Sequence, residues 1–284
     1  MVYTLPGLEL HYRAVGEGTP VVLLHGLGCN GQLMEGCMEP VFRAHPGYRR
    51  FYPDLPGMGA SSARASLDWA GSDRILDALL AFLDDAVPGD FLLAGESYGG
   101  YLARGILARR PERVKGLLLL CPMVRPAQAH RTLPKGTAWA GDADFLAGLT
   151  PEEREGFCLY AAVADAETYA RYARDILPGL TASDPDFLAE LDRHYGFSFD
   201  VDAAVRALDY PGPVLMVAGR QDTCVGYRDL LALLEDYPRA TYAVLDLAGH
   251  NLQVERPELF EALAGDWLTR VEGQRALLPP RKEH

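Results

Sequence analysis

Two hydrophobic patterns alternate along the chain. Short continuous apolar runs recur at Val21-Val22-Leu23-Leu24, Phe91-Leu92-Leu93-Ala94, residues 114–120 and Val214-Leu215-Met216-Val217-Ala218. Unbroken runs of this length predict strands buried on both faces, as in a parallel sheet. Residues 48–53 and 240–246 add two more strands, and Leu8-Glu9-Leu10-His11-Tyr12-Arg13 alternates like a half-exposed antiparallel strand after a Pro6-Gly7 turn. Helical spacing fills the intervals at residues 32–43, 68–85, 98–110, 227–234 and 257–271. In the second of these, Ile75, Leu76, Leu79, Leu80 and Leu83 form one apolar face. Pro111 ends the third, and Pro257 opens the last.

Alternating strands and helices predict a mostly parallel sheet covered by helices on both faces. Between residues 122 and 205 the alternation stops, and only amphipathic segments appear, at 143–149, 152–163, 167–177 and 185–195. The expected organisation is a core in two parts, 1–121 and 206–284, with a helical cap at 122–205. The cap carries 14 acidic and 7 basic residues, which marks a solvated surface and a weak bias against polyanionic substrates. Of its aromatic residues Trp139, Phe145, Phe157, Tyr160 and Phe187, most are expected to pack the cap's helices and the rest to line an apolar pocket. The polar tail after Gly273 is expected to fray.

Composition narrows the setting. The chain has 284 residues, 49% of them hydrophobic, enough for a large core. No apolar run reaches the roughly 18 residues of a membrane span, and the N-terminus lacks the pattern of a signal peptide. Five scattered cysteines with no C-x-x-C pair predict no disulfide framework and no zinc site, which fits a cytoplasmic protein with reduced thiols. A net charge of −12 argues against nucleic acid and anionic membranes as partners. A small-molecule substrate, with neither cofactor nor metal, is the expectation. Oligomeric state is left open by the sequence.

The candidate chemistry begins at Gly95-Glu96-Ser97-Tyr98-Gly99, a G-x-S-x-G between a buried strand and a helix. Such a turn strains the serine backbone and lifts its hydroxyl above the sheet edge, and bulkier residues than glycine would collide there. A serine needs a base to become a nucleophile, and the base needs a carboxylate to fix its tautomer. His250 after Ala248-Gly249 is the expected base. Asp222 is the expected acid over Asp200, Asp202, Asp209 and Asp246, because it follows a buried strand and the Gly219-Arg220-Gln221 turn. The spacing of 28 residues between Asp222 and His250 leaves room for one helix and one strand. The oxyanion requires two preorganised donors, and the backbone N–H of Tyr98 is one candidate.

Together with His25-Gly26-Leu27-Gly28 and Asp54-Leu55-Pro56-Gly57-Met58-Gly59-Ala60-Ser61, these motifs resemble those of α/β-hydrolase-fold serine hydrolases with a helical cap. The resemblance covers nearly all of the chain outside the cap. It implies an esterase-like enzyme with Ser97, Asp222 and His250 as its triad, in the family's chain order. It also implies the Leu27 N–H as the second oxyanion donor and His25 as a structural residue of that loop. Asp54 is expected to tie down its own turn. His130 and His194 are expected at the cap surface, and Cys29 and Cys224 as buried, inert thiols. Glu96 resembles the Glu of serine carboxypeptidases and some carboxylesterases, but a packing or supporting role is expected. Ser97 departs from the Asp nucleophile of dehalogenases and epoxide hydrolases. Asn251 departs from the Trp of many carbon–carbon hydrolases, and Tyr98 from the Trp of proline iminopeptidases. The expected reaction is hydrolysis of a small carboxylic ester. Carbon–carbon or amide cleavage on the same triad, and a low-turnover binding protein of this fold, are the alternatives.

Overall fold

In the computed structural model, the described residues are 1–135 and 139–273, so the expectation for the tail lies outside them. The strands are β1 (Val2–Leu5), β2 (Leu8–Val15), β3 (Thr19–Leu24), β4 (Tyr48–Pro53), β5 (Phe91–Glu96) and β6 (Val114–Leu120), then β7 (Ala140–Gly141), β8 (Val163–Ala164), β9 (Val214–Gly219) and β10 (Ala240–Leu245). Eight of them form one sheet in the order β1-β2-β4-β3-β5-β6-β9-β10. The pairs β1–β2 and β2–β4 are antiparallel, and all the others in that sheet are parallel. The continuous apolar runs sit where both faces are covered: Val21 to Leu24 and Leu117 to Leu120 are fully buried. Each such side chain contributes about 1.5–3 kcal/mol relative to exposure.

Helices α1 (Gly31–Ala44) and α12 (Pro257–Gly273) pack on each other along one side of the sheet. Helices α2 (Ser72–Ala86) and α3 (Tyr98–Arg109) pack together along the other. The chain runs from β3 out to β4 and then returns to the opposite neighbour of β3, which is β5. That reversal opens a crevice beyond the carboxyl ends of β3 and β5, where open α/β sheets bind ligands. The His25-Gly26-Leu27-Gly28 loop and Ser97 both begin there.

Between β6 and β9 lie α4 (Ala143–Ala147), α5 (Pro151–Cys158), α6 (Ala166–Asp175), α7 (Leu177–Ala182), α8 (Pro185–Arg193) and α9 (Val201–Arg206). The segment is not purely helical, because β7 and β8 pair in parallel over two residues each. Such a ladder is too short to leave a periodic trace. The helix expected over 167–177 divides at Ile176, whose C-cap position for α6 is also the N-cap of α7, with Pro178 in the first turn of α7. The helix expected over 227–234 is one turn, α10 (Arg228–Leu231), followed by a short 3₁₀ stretch. A further short helix, α11 (Leu252–Glu255), follows β10.

The segment is tied to the core by a charge. Arg104 on α3 is fully buried, and its guanidinium donates to the Asp202 carboxylate on α9 and, at 3.3 Å, to the Tyr237 hydroxyl. Arg125 reaches the other carboxylate oxygen at 2.9 Å. Removing a carboxylate from such a pair strands a buried cation, which is far costlier than losing a surface ion pair. Asp202→Ala is therefore expected to lose about 3–5 kcal/mol of stability, read from the urea midpoint at constant m-value. A loss below about 1 kcal/mol would show that the guanidinium is not held by this carboxylate.

Candidate active site

Ser97 occupies the turn from β5 to α3 with φ 50 and ψ −114. A β-carbon makes this region unfavourable, at a cost of about 1–3 kcal/mol. The surroundings hold it there. The Ser97 N–H donates to Leu120 O at 3.0 Å, and the Ser97 carbonyl accepts from Met123 N–H at 2.9 Å and Tyr101 N–H at 3.1 Å. Gly99 is required by close approach, since a side chain there would run into the carbonyls of Leu24 and His25. At Gly100 it would meet Pro122.

His250 Nε2 is 2.9 Å from Ser97 Oγ, and His250 Nδ1 is 2.9 Å from Asp222 Oδ2. All three residues are buried. The other Asp222 oxygen accepts the N–H groups of Cys224 at 2.8 Å and Val225 at 3.0 Å, so the carboxylate is aimed by its own turn. Burial works against the ionised Asp222, but His250 and those N–H donors outweigh it and hold the carboxyl below its usual range. Burial likewise works against a charged imidazole. The Asp222 carboxylate, chief among the opposing influences, outweighs it, and His250 is held well above its ordinary value. The competing aspartates are elsewhere: Asp200 caps α9, Asp202 holds Arg104, Asp209 is exposed, and Asp246 accepts from Gln221.

His25 is buried and bonded away from Ser97. Leu55 N–H donates to its Nε2 at 2.9 Å, so Nδ1 carries the proton and donates to Gly26 O at 2.8 Å. Burial pushes its pKa down, which favours this neutral form. His25 thus ties the loop after β3 to the loop after β4. Asp54 ties the same two loops by accepting from Gly31 N–H at 2.7 Å and Ala60 N–H at 2.9 Å. Among the described residues, no hydrogen bond within the protein takes up the N–H of Leu27 or of Tyr98. Leu27 stands in the wall of the cavity that contains Ser97.

That cavity has a volume of about 1010 Å³. The helical segment supplies Leu159, Tyr160, Tyr172, Ile176, Leu188 and Tyr195 to its wall. Of the five segment aromatics singled out in the sequence, only Tyr160 lines it. Phe145 and Phe157 pack on Tyr169, Phe187 is buried against Gly57, and Trp139 is exposed. The pocket aromatics Tyr172 and Tyr195 give no sign in the sequence beyond helical spacing. His130 and His194 are exposed. Cys29 and Cys224 both stand in the cavity wall, Cys29 buried there and Cys224 only partly so.

Glu96, singled out by its motif, takes a place the motif does not give, and two further groups escape a reading by motif. Glu96 is 2% exposed and places Oε1 at 3.5 Å from His250 Nε2. Glu255 accepts the N–H groups of Gly249, Ala162 and Val163, which joins the His250 loop to β8. Gly249 also abuts Tyr160, whose carbonyl accepts the His250 N–H at 3.2 Å. Cys121, Asp222 and His250 bring potential metal-binding atoms within 4.8 Å of one another, a grouping invisible to spacing because each comes from a different loop. Burial pushes the Cys121 thiol up to about 12, and Asp222 and His250 are bonded to each other.

Residues 19–257 match a family model described as the alpha/beta hydrolase fold. A pimeloyl-[acyl-carrier protein] methyl ester esterase of Aeromonas salmonicida is 32% identical over 89% of this chain and 96% of its own. A 2-hydroxymuconate semialdehyde hydrolase of a Pseudomonas species is 27% identical over 94% of this chain and 92% of its own. The crystal structure of an alpha/beta superfamily hydrolase from Oenococcus oeni superposes with a TM-score of 0.85 at 27% identity, covering 96% of this chain and 99% of that one.

The role of Glu255 can be checked without reference to chemistry. Glu255→Ala leaves three N–H groups without their acceptor, at about 1–3 kcal/mol for a buried donor left unsatisfied. We expect a loss of a few kcal/mol and faster amide exchange at Gly249 and Ala162. Unchanged exchange at both amides would show that Glu255 does not anchor this loop.

Proposed function

Because the chain belongs to the α/β-hydrolase family, we propose that it is a serine hydrolase acting on a carboxylic ester by acyl transfer. One observation carries this reading: the continuous hydrogen-bonded chain Asp222–His250–Ser97, with both links at 2.9 Å. Ser97 attacks the ester carbonyl as His250 Nε2 takes its proton. Asp222 keeps the imidazole in the right tautomer and stabilises its charged form. The N–H groups of Leu27 and Tyr98 receive the oxyanion. His250 then protonates the departing alcohol, and water releases the acyl group by the same steps in reverse.

Residues 122–205 serve as the cap over this site, and 1–121 with 206–284 as the core. Its apolar wall suits an apolar acyl group. The esterase at 32% identity, named for a methyl ester, favours the ester reading. Carbon–carbon cleavage is the second reading, supported by the similarity to 2-hydroxymuconate semialdehyde hydrolase. Assay of purified protein on esters and on vinylogous diketones separates the two. The substrate is taken as a small molecule, by likeness to that esterase and by the pocket around Ser97.

A fluorophosphonate is expected to label Ser97, and Ser97→Ala to lose both labelling and turnover; persistent labelling of the variant would sink the assignment. His250 must be neutral to act as base, and its pKa is raised. So kcat/KM is expected to be low in acid and to rise with pH through a midpoint above the ordinary imidazole value of about 6.5. Asp222→Asn is expected to lower the rate by about 10²–10⁴ and to move that midpoint down. A full-rate Asp222→Asn enzyme with the parent profile would contradict the role of the carboxylate.

The cap's part in selectivity is tested at Leu159, Tyr172 and Leu188. Alanine at these positions is expected to change KM and the preference between short and long acyl chains, with fluorophosphonate labelling nearly intact. Identical chain preference in all folded variants would remove the cap as the specificity element.

A further inference from the structure

The sequence places a second carboxylate immediately before the nucleophile, and the fold buries it there. Glu96 ends β5, is 2% exposed, and lines the same cavity as Ser97 and His250. Its Oε2 lies against Gly26, where a side chain would collide with it, so the carboxyl group is pinned between the loop after β3 and the nucleophile. Its Oε1 is 3.5 Å from His250 Nε2, the nitrogen that is 2.9 Å from Ser97 Oγ. Among the described residues, no Arg or Lys pairs with it, and His250 is its one ion-pair partner. Asp222 and Glu96 thus flank the two ring nitrogens of one imidazole. Asp222 is bonded to Nδ1, whereas Glu96 stands beside Nε2 at more than hydrogen-bond distance.

A gap of 3.5 Å between an acceptor and the base nitrogen fits a water that touches both. The geometry points to Glu96 as the residue that positions the deacylating water, and this rests on the serine-hydrolase reading above. In that step, one water proton passes to His250 Nε2 while the water oxygen bonds to the acyl carbon on Ser97. Glu96 Oε1 accepts the other proton as a hydrogen bond and fixes the direction of attack. The tetrahedral intermediate collapses by breaking the bond from carbon to Ser97 Oγ, which recovers its proton from His250. The product leaves as a carboxylic acid carrying the second water proton. Acylation uses no water and so does not need this contact.

The titratable groups that face Glu96 are His250 and Asp222 from their loops, Cys29 from the loop after β3, Cys37 from α1 and Tyr195 from the helical segment. Burial pushes Glu96 up to about 7, although His250 opposes it. The acceptor form therefore gains as pH rises through about 7, the same direction in which His250 loses its proton.

The test is stopped-flow hydrolysis of p-nitrophenyl butyrate by the parent, Glu96→Gln and Glu96→Ala, with rates normalised to burst amplitude so that misfolded protein is not counted. In Glu96→Ala, kcat is expected to fall on the order of 10- to 100-fold, the scale of a misdirected reacting group. KM is expected to fall with it, leaving kcat/KM within about threefold. A full-site burst then precedes slow turnover, and hydroxylamine, a stronger nucleophile than water, accelerates it. Glu96→Gln, which keeps the shape and one acceptor oxygen, is expected to fall between the two. An equal fall in kcat and kcat/KM, or no fall in either, overturns the positioning role. A parent that hydrolyses the ester no faster than its Ser97→Ala variant overturns the serine-hydrolase reading instead.

Discussion

The backbone at Ser97 is held where a residue with a side chain resists going. Its φ of 50 costs about 1–3 kcal/mol, and burial of Leu92 and Leu93 in the adjoining strand exceeds that comfortably. The hydrogen bonds to Leu120, Tyr101 and Met123 then fix the turn against β6 and α3. Because Gly99 lets α3 start against the carbonyls of Leu24 and His25, the helix begins directly beneath the loop that follows β3. One strained turn therefore sets the positions of the hydroxyl, the Tyr98 N–H and the Leu27 loop together.

The helical segment is bound to this arrangement on several sides. Gly179 of α7 meets the backbone of Cys29 and Asn30 so closely that a side chain would not fit, and Ser183 donates to Gly28 O at 2.8 Å. On the opposite flank, Glu255 joins β8 to the His250 loop, and the carbonyl of Tyr160, just before β8, does the same. Beneath, Tyr98 stacks on Tyr195 at 5.0 Å, and Tyr101 stacks on Phe197 at 4.3 Å. A shift of the segment would therefore pull on the Leu27 loop and the His250 loop at once. In the proposed reaction, such a shift would reach the pocket wall and the Asp222–His250–Ser97 chain together.

What the sequence could disclose was what each stretch of chain decides for itself. The buried strands announce themselves through unbroken apolar runs, and Ser97 through glycines whose necessity is steric. His250 and Asp222 were legible because each follows a strand, and parallel strands deliver their C-terminal ends to one edge. Glu255 was not legible, since a glutamate on a short helix looks like any surface acid until the N–H groups of Gly249 and Ala162 fold onto it. Glu96 was visible as a residue but not as a neighbour of Nε2, because that depends on where the His250 loop comes to rest. The pocket wall was the least legible part. Phe187 and Tyr172 have similar helical surroundings in sequence, yet one buries itself on Gly57 and the other faces the cavity.

The proposed reaction passes through an acyl group bound covalently to Ser97, which the strained turn brings to His250. Rapid acid quenching after mixing with an activated ester, followed by peptide mass analysis, measures this directly. We expect an acyl mass on the peptide containing Ser97 that forms and decays at rates sufficient to carry the observed turnover. Full turnover with no such adduct, or with the acyl group on another residue, would contradict it.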